Sequence, residues 1–356
     1  MMRKSDIFNA FRNGTVELPP LVIELAEVEP RLEVKGWVLR PDAYINVRWE
    51  GRVFRFVAEF KAQATPKSFR EAIEQARSYA KATELRPLVV SPYLAPERLK
   101  ELEVQCVSGV DLCGNGVVMV PGELLVVRTG NPNQFPASRK ISNVYQGTSS
   151  LVARVFLARP CYDRVQEVMD EVTERGGRVS LGTVSKVLKN LEEDLIIRRK
   201  GRASILLQAD ELLDRLAAGF QPPRVDVRKK YRWKGPSNEL VGRLCDWNRE
   251  LVLTGAASVE RYSVMPREKT IQCYCTSIES IERGLGSELE ESPIFPDLDL
   301  AETCDPTVFF DRRSGDTVSA ASPVQCWLEL QAGDKRQRDA GAGVRDRILK
   351  ELQQNG

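Results

Sequence analysis

Histidine is absent from this chain of 356 residues, and that absence removes whole classes of chemistry. Without an imidazole there is no Ser-His or Cys-His nucleophilic pair, no histidine zinc site and no histidine-based nuclease. Paired cysteines are lacking as well. The eight cysteines show no C-x-x-C spacing, and Cys273 with Cys275 cannot alone make a four-ligand zinc site, so they read as reduced, structural thiols. No apolar run reaches the roughly 18 residues of a membrane span, and the first residues carry no apolar signal-peptide core. The expectation is a cytoplasmic protein with no membrane partner. A dominant charge is also missing, with 52 basic residues against 50 acidic ones. Contact with a polyanion must then come from local clustering and not from the field of the whole chain.

What is present is concentrated between Pro41 and Lys61. Period-two alternation in the strand from Val53 to Lys61 puts Phe54, Phe56, Ala58 and Phe60 on one face and Arg55, Val57, Glu59 and Lys61 on the other. Glu59 and Lys61 therefore point the same way, and Asp42 opens the preceding strand. Two carboxylates beside a lysine form a minimal set for metal-assisted hydrolysis. The carboxylates hold a hard divalent cation such as magnesium or manganese, and the lysine orients or deprotonates the attacking water. The next helical pattern (Phe69, Ala72, Ile73, Ala76, Ala80) carries Gln75 and Tyr79 four apart, on one stripe. Upstream, Glu27 or Glu29 could complete the metal shell, although either one singly reads more simply as an ordinary helix carboxylate.

Length predicts two or three domains. Up to about residue 129 strand and helix patterns alternate, an α/β core with a mixed sheet; the turn Gly114-Asn115-Gly116 reads as a type I′ hairpin, since no helix follows it to make a phosphate loop. The polar, proline-containing stretch from Gly130 to Pro136 reads as a linker. From 141 to about 222 the rhythm is of short helices: Leu151 to Ala158, a second marked by Val165, Val168, Met169 and Val172, and a third capped by Ser180 with Val184, Val187, Leu188 and Leu191 facing inward. Thr183, Ser185, Lys186, Lys189 and Asn190 are left facing out. A β-hairpin follows whose tip carries Arg198, Arg199, Lys200 and Arg202. This order predicts a winged helix-turn-helix, with the third helix in the major groove of double-stranded DNA and the wing along phosphates. A further basic run, Arg224 to Lys234, reads either as a solvated linker or as a reserve DNA contact. Beyond it, Leu251 to Ala257 suggests a strand entering a helix, Thr270 to Thr276 and Thr307 to Phe310 suggest strands, Val324 to Leu330 a buried element, and Lys335 to Gln354 a charged helix with frayed ends. The expected division is 1–140, 141–222 and 223–356, the last an α/β or α+β domain for contact with a second copy or another protein.

Pro41-Asp42, Glu59-Phe60-Lys61 and Gln75-x-x-x-Tyr79, in that order, resemble the PD-(D/E)xK nuclease superfamily with the Q-x-x-x-Y helix of its RecB-like branch, over about residues 20 to 130. The resemblance implies a restriction-endonuclease-like fold, with Asp42 and Glu59 as metal ligands, Lys61 as the catalytic lysine, and Gln75 and Tyr79 supporting the site or the DNA backbone. Ser180 to Val187, Leu253 to Ser258 and Ser322 to Leu330 are similar to the antitoxin of type IV abortive-infection toxin and antitoxin systems (AbiEi-like), a winged-helix DNA binder with a C-terminal domain. That similarity implies a transcriptional regulator and a toxin or other defence-system partner. The leading expectation is a DNA-binding protein with a magnesium-dependent nuclease core in a defence or mobile-element setting. The alternative is a regulator or antitoxin in which the nuclease fold is a scaffold only.

Overall fold

The computed structural model describes residues 3–14, 16–34, 37–62, 65–135, 144–236, 239–247, 250–263, 270–314 and 318–354. The chain forms two compact units, Met1–Ile141 and Ser142–Gly356. Both mix helices with sheets, and the fold class is mixed α/β, as the alternating patterns predict. Among the described residues no helix is long and apolar enough to cross a membrane.

A seven-stranded sheet organises the first unit, in the spatial order Val22–Val28, Ala43–Trp49, Arg52–Phe60, Arg86–Ser91, Ser108–Asp111, Gly116–Val120 and Leu124–Arg128. The central two pairings are parallel and the others antiparallel. Parallel neighbours need a crossover, and helices Pro66–Thr83 and Pro96–Val104 supply the two. Each starts on a proline, whose missing N–H costs nothing in a first turn, and Thr65 accepts the Ser68 N–H to cap the longer one. Alternation decides the faces. Ala43, Ile45, Val47, Phe54, Phe56, Ala58 and Phe60 pack with Ile7 and Phe11 of helix Lys4–Arg12. Val89 and Val117 pack on the other side against Phe69, Ala72, Ile73 and Ala76. Two readings of the sequence are corrected here. Glu27 lies in the edge strand Val22–Val28, not in a helix, and Glu29 follows it with a positive φ. The connection after Asp111 spans residues 112 to 115 in place of a two-residue turn, because the buried Asp111 carboxylate gathers the N–H groups of Leu94, Cys113 and Asn115 and the Asn115 amide.

The second unit opens with helices Ser149–Arg154, Val165–Glu174 and Leu181–Glu193. They are joined to a three-stranded antiparallel sheet in which Ala203–Leu206 lies between Cys161–Tyr162 and Ile197–Lys200. The hairpin turns on two residues, Gly201 and Arg202, with Gly201 at φ +63°, a conformation that glycine adopts without a Cβ penalty. A five-stranded mixed sheet follows, ordered Leu251–Leu253, Ile271–Cys275, Leu298–Glu302, Val227–Trp233 and Leu289–Glu291. The basic run is thus a strand inside a sheet and not a linker. Tyr231 and Trp233 are buried, while Arg228 pairs with Asp299, Lys229 with Glu282 and Lys234 with Glu290.

No division between compact units falls at residue 222. Phe310, Trp327, Leu328, Val344 and Ile348 lie in the same apolar core as Phe156, Val168, Val187, Leu191 and Leu212. Helix Lys335–Gln354, expected to fray, is seated there by Val344 and Ile348. The segment expected as a strand at Thr307 to Phe310 starts instead with a helical turn, Pro306–Val308, capped by the Asp305 carboxylate on the Thr307 N–H. A buried polar chain fastens these parts together. Arg154 donates to Gln325 Oε1 (2.8 Å), Gln325 donates to Glu329 Oε1 (2.7 Å), and Glu329 accepts the Thr254 hydroxyl and the Gly255 N–H. Burial pushes the Arg154 guanidinium down to about 10 and the Glu329 carboxyl upward, and each group is held by its partners.

Truncation after Phe220 should therefore bare the shared core and leave a fragment that aggregates or lacks a cooperative calorimetric transition. Trp327→Ala in the full chain should cost about 3–5 kcal/mol in denaturant unfolding. A soluble, cooperatively melting fragment 1–220 would show that the helices after Pro323 are dispensable.

Candidate functional site

Asp42 and Glu59 meet because of strand register. Ala43 pairs with Ala58, so the residues flanking that pair, Asp42 and Glu59, lie beside one another at the ends of their strands. The Asp42 N–H donates to the Ala58 carbonyl, and the Phe60 N–H donates to Asp42 Oδ2 at 2.6 Å, which locks the carboxylate against the strand. Glu59 is the more enclosed, with its side chain 5% exposed against 13% for Asp42. Lys61, just beyond the strand end, places Nζ 3.2 Å from Glu59 Oε1 and donates to Gln75 Oε1 at 3.0 Å. Gln75 comes from helix Pro66–Thr83, which crosses over the same face. Tyr79, one turn on, is half-buried, and its hydroxyl is held protonated above its usual range by burial and by the nearby Glu59 and Asp42 charges.

One participant has no counterpart in the sequence reading. Lys4, in the first turn of helix Lys4–Arg12, places Nζ 2.9 and 2.8 Å from the two Asp42 oxygens and 3.6 Å from Glu59 Oε1. A signal for it exists in hindsight. Ile7, Phe8 and Phe11 define the buried stripe of that helix, and Lys4 stands three and four residues before the first two, a charge on an apolar face. The partnership with Asp42 raises the Lys4 ammonium above its ordinary value against the opposing effect of burial. Burial first and then Asp42 push the Glu59 carboxyl upward, with Lys4 and Lys61 opposing.

The donor set fits a hard divalent cation. Asp42 and Glu59 already share one cation, the Lys4 ammonium, so their oxygens converge on a common position. Among the described residues no third acidic or cysteine side chain joins them. Magnesium asks for no more, since it is commonly held by one or two carboxylates with water and substrate phosphate completing the shell. Glu27 and Glu29 are exposed and stand outside this group.

A second candidate surface lies on helix Leu181–Glu193 and the hairpin behind it. Val184, Val187, Leu188 and Leu191 are buried, and Ser185, Lys186 and Lys189 are exposed. Ser180 and Thr183 are occupied with capping, the Ser180 hydroxyl accepting the Thr183 N–H, and Asn190 donates to the Lys186 carbonyl. Arg198, Arg199, Lys200 and Arg202 are all exposed. Among the described residues neither these four nor Lys186 and Lys189 have a carboxylate partner, in contrast to Arg228, Lys229 and Lys234.

No protein-family model matches the chain, and neither the curated proteins nor the solved structures contain a match to it.

The direction of the Glu59 shift fixes a pH effect. A carboxyl raised in the native state binds a proton more readily there than in the unfolded chain, so its contribution to stability falls as pH rises from the ordinary carboxylate range through its raised value. Glu59→Gln should accordingly melt higher than the wild-type chain at neutral pH, with the gap closing towards about pH 4. A variant that melts lower at neutral pH would mean that the Lys4 and Lys61 contacts outweigh burial and the Asp42 repulsion.

Proposed function

We propose that this chain is a DNA-binding protein whose first unit is a PD-(D/E)xK nuclease core dependent on magnesium or manganese, and whose second unit engages duplex DNA through a winged helix. The observation that carries the reading is the convergence of Asp42 and Glu59 on one cation, with Lys61 alongside and steadied by Gln75. A central mixed sheet with a crossover helix behind the carboxylate strand supports a restriction-endonuclease-like core. Helix, short strand, two helices and a hairpin closing a three-stranded sheet support the winged helix.

In this reading Asp42 and Glu59 hold the metal. When bound there, such an ion would supply Lewis acidity toward a phosphate oxygen. Lys61 orients the attacking water in line with phosphorus and steadies developing negative charge. Gln75 accepts from the Lys61 ammonium and so fixes its direction, and Tyr79 remains a hydroxyl donor at the edge of the carboxylate pair. Lys186 and Lys189 face the groove from the third helix, and Arg198, Arg199, Lys200 and Arg202 run along phosphates.

A second reading is favoured by Lys4. Two ammonium groups already neutralise the two carboxylates, which suits a transcriptional regulator or AbiEi-like antitoxin built on a non-catalytic nuclease fold, acting with a second copy or a toxin partner. Cleavage of plasmid and linear DNA with magnesium or manganese separates the two. The nuclease reading expects nicking that Glu59→Ala abolishes and that Lys61→Ala slows by about 10²–10⁴, the range for a positioned proton-transfer group. Absence of cleavage with every divalent metal leaves the regulator.

DNA affinity is the other measurement. With about six phosphates contacted, log affinity should fall against log salt with a slope near −5. Neutralising Arg198, Arg199 and Arg202 together should flatten that slope by about three, while changes at Lys186 or Lys189 should shift sequence preference. An unchanged slope and preference after both sets of substitutions would exclude this surface.

A further inference from the structure

Lys4 and a metal ion cannot occupy the site together. The Lys4 ammonium takes both oxygens of Asp42 and approaches Glu59 Oε1. A magnesium ion bound at about 2.1 Å to those same oxygens would sit inside the contact distance of the ammonium, with like charges repelling at close range. Lys61 also touches Glu59 Oε1, at 3.2 Å, but it is held by Gln75 Oε1 and its bonds do not include Asp42, so Lys4 is the ammonium that takes the position shared by both carboxylates.

The helix that delivers Lys4 is firmly seated, but the lysine itself is not. Ile7 and Phe11 are buried, and the rings of Phe8 and Phe11 lie 4.8 and 5.5 Å from that of Phe60, the residue between Glu59 and Lys61. The first turn is closed by the Arg3 N–H on Asp6 Oδ2. The Lys4 side chain, in contrast, is 45% exposed and reaches the carboxylates from solvent. A long flexible side chain can swing out without moving the helix that carries it.

We propose that Lys4 is an intramolecular counter-ion that holds the divalent-metal position until a metal ion displaces it, and that it thereby sets the metal concentration at which the site loads. This rests on the metal-dependent reading of Asp42 and Glu59. Lys4 is a positioning residue in this scheme: it balances the buried carboxylate pair while the metal is absent and makes loading a competition between two cations.

The test is manganese binding to the full chain, followed by calorimetry and by the electron-paramagnetic signal of free ion, for wild type, Lys4→Gln, Lys4→Arg and Glu59→Ala. Lys4→Gln should bind manganese at least about tenfold more tightly than wild type, Lys4→Arg should stay close to wild type because it keeps the competing charge, and Glu59→Ala should bind more weakly than any of them. Thermal unfolding supplies a readout independent of activity. Without metal, Lys4→Gln should melt lower than wild type, and added manganese should raise its melting temperature more than that of wild type. Equal or weaker manganese binding by Lys4→Gln, with Glu59→Ala still impaired, overturns the role of Lys4 and leaves the metal site standing. Absence of manganese binding in all four proteins overturns both the counter-ion role and the metal-dependent reading.

Discussion

Two carboxylates held side by side at the ends of paired strands are the constraint around which the first unit is arranged. Strand register gives Asp42 and Glu59 no freedom to separate, since moving either would break the Ala43 to Ala58 pairing and expose Phe56 and Phe60. Like charges so placed need compensation. It comes from the Phe60 N–H on Asp42, from Lys61 on Glu59 and from Lys4 on both. Gln75 completes the set by fixing Lys61, so the crossover helix contributes to the site as well as to the core.

The second unit spends its basic residues in two different ways. In strand Val227–Trp233 two of them are matched, Arg228 by two bonds to Asp299 of the neighbouring strand and Lys229 by Glu282 of helix Ile278–Leu285, which also accepts from Tyr231. That strand has a structural role, and half of its positive charge is cancelled locally. On the hairpin, Arg198, Arg199, Lys200 and Arg202 are left exposed, and Lys186 and Lys189 project from the helix before it. Concentrating unmatched cations on one element while balancing them elsewhere creates a local field in a chain of almost zero net charge.

The buried chain from Arg154 through Gln325 to Glu329 gives the second unit its unity. Each member is too polar to be enclosed alone, and the bonds that join them form only if helix Ser149–Arg154, helix Pro323–Gln331 and the Thr254-Gly255 turn are all in place. Such a network specifies one arrangement of elements from distant parts of the sequence. It accounts for helices beyond residue 322 belonging to the core of the short-helix region, although a separate C-terminal core, around Trp233, Leu253, Ile281 and Leu300, lies under the five-stranded sheet.

Local periodicity alone determined a good deal. Alternation from Val53 to Lys61 fixed which side chains share a face, so Glu59 and Lys61 are paired by period alone, and the 3.6-residue period placed Gln75 and Tyr79 on one stripe of the next helix. Ser180 announced the start of its helix for an equally local reason, a hydroxyl within reach of the Thr183 N–H. What tertiary structure decided were matters of partnership between residues far apart in sequence. That Lys4 lies against Asp42, 38 positions later, depends on helix Lys4–Arg12 docking on Phe60. The strand character of Arg224 to Lys234 was hidden because its carboxylate partners, Glu282, Glu290 and Asp299, come from elements more than fifty residues away. The seating of helix Lys335–Gln354 was hidden because only spaced apolar residues, Val344 and Ile348 with Ala340 and Leu349 beside them, join the core. A sequence states what each residue can pair with at short range, and packing alone selects the pairs that chain distance leaves open.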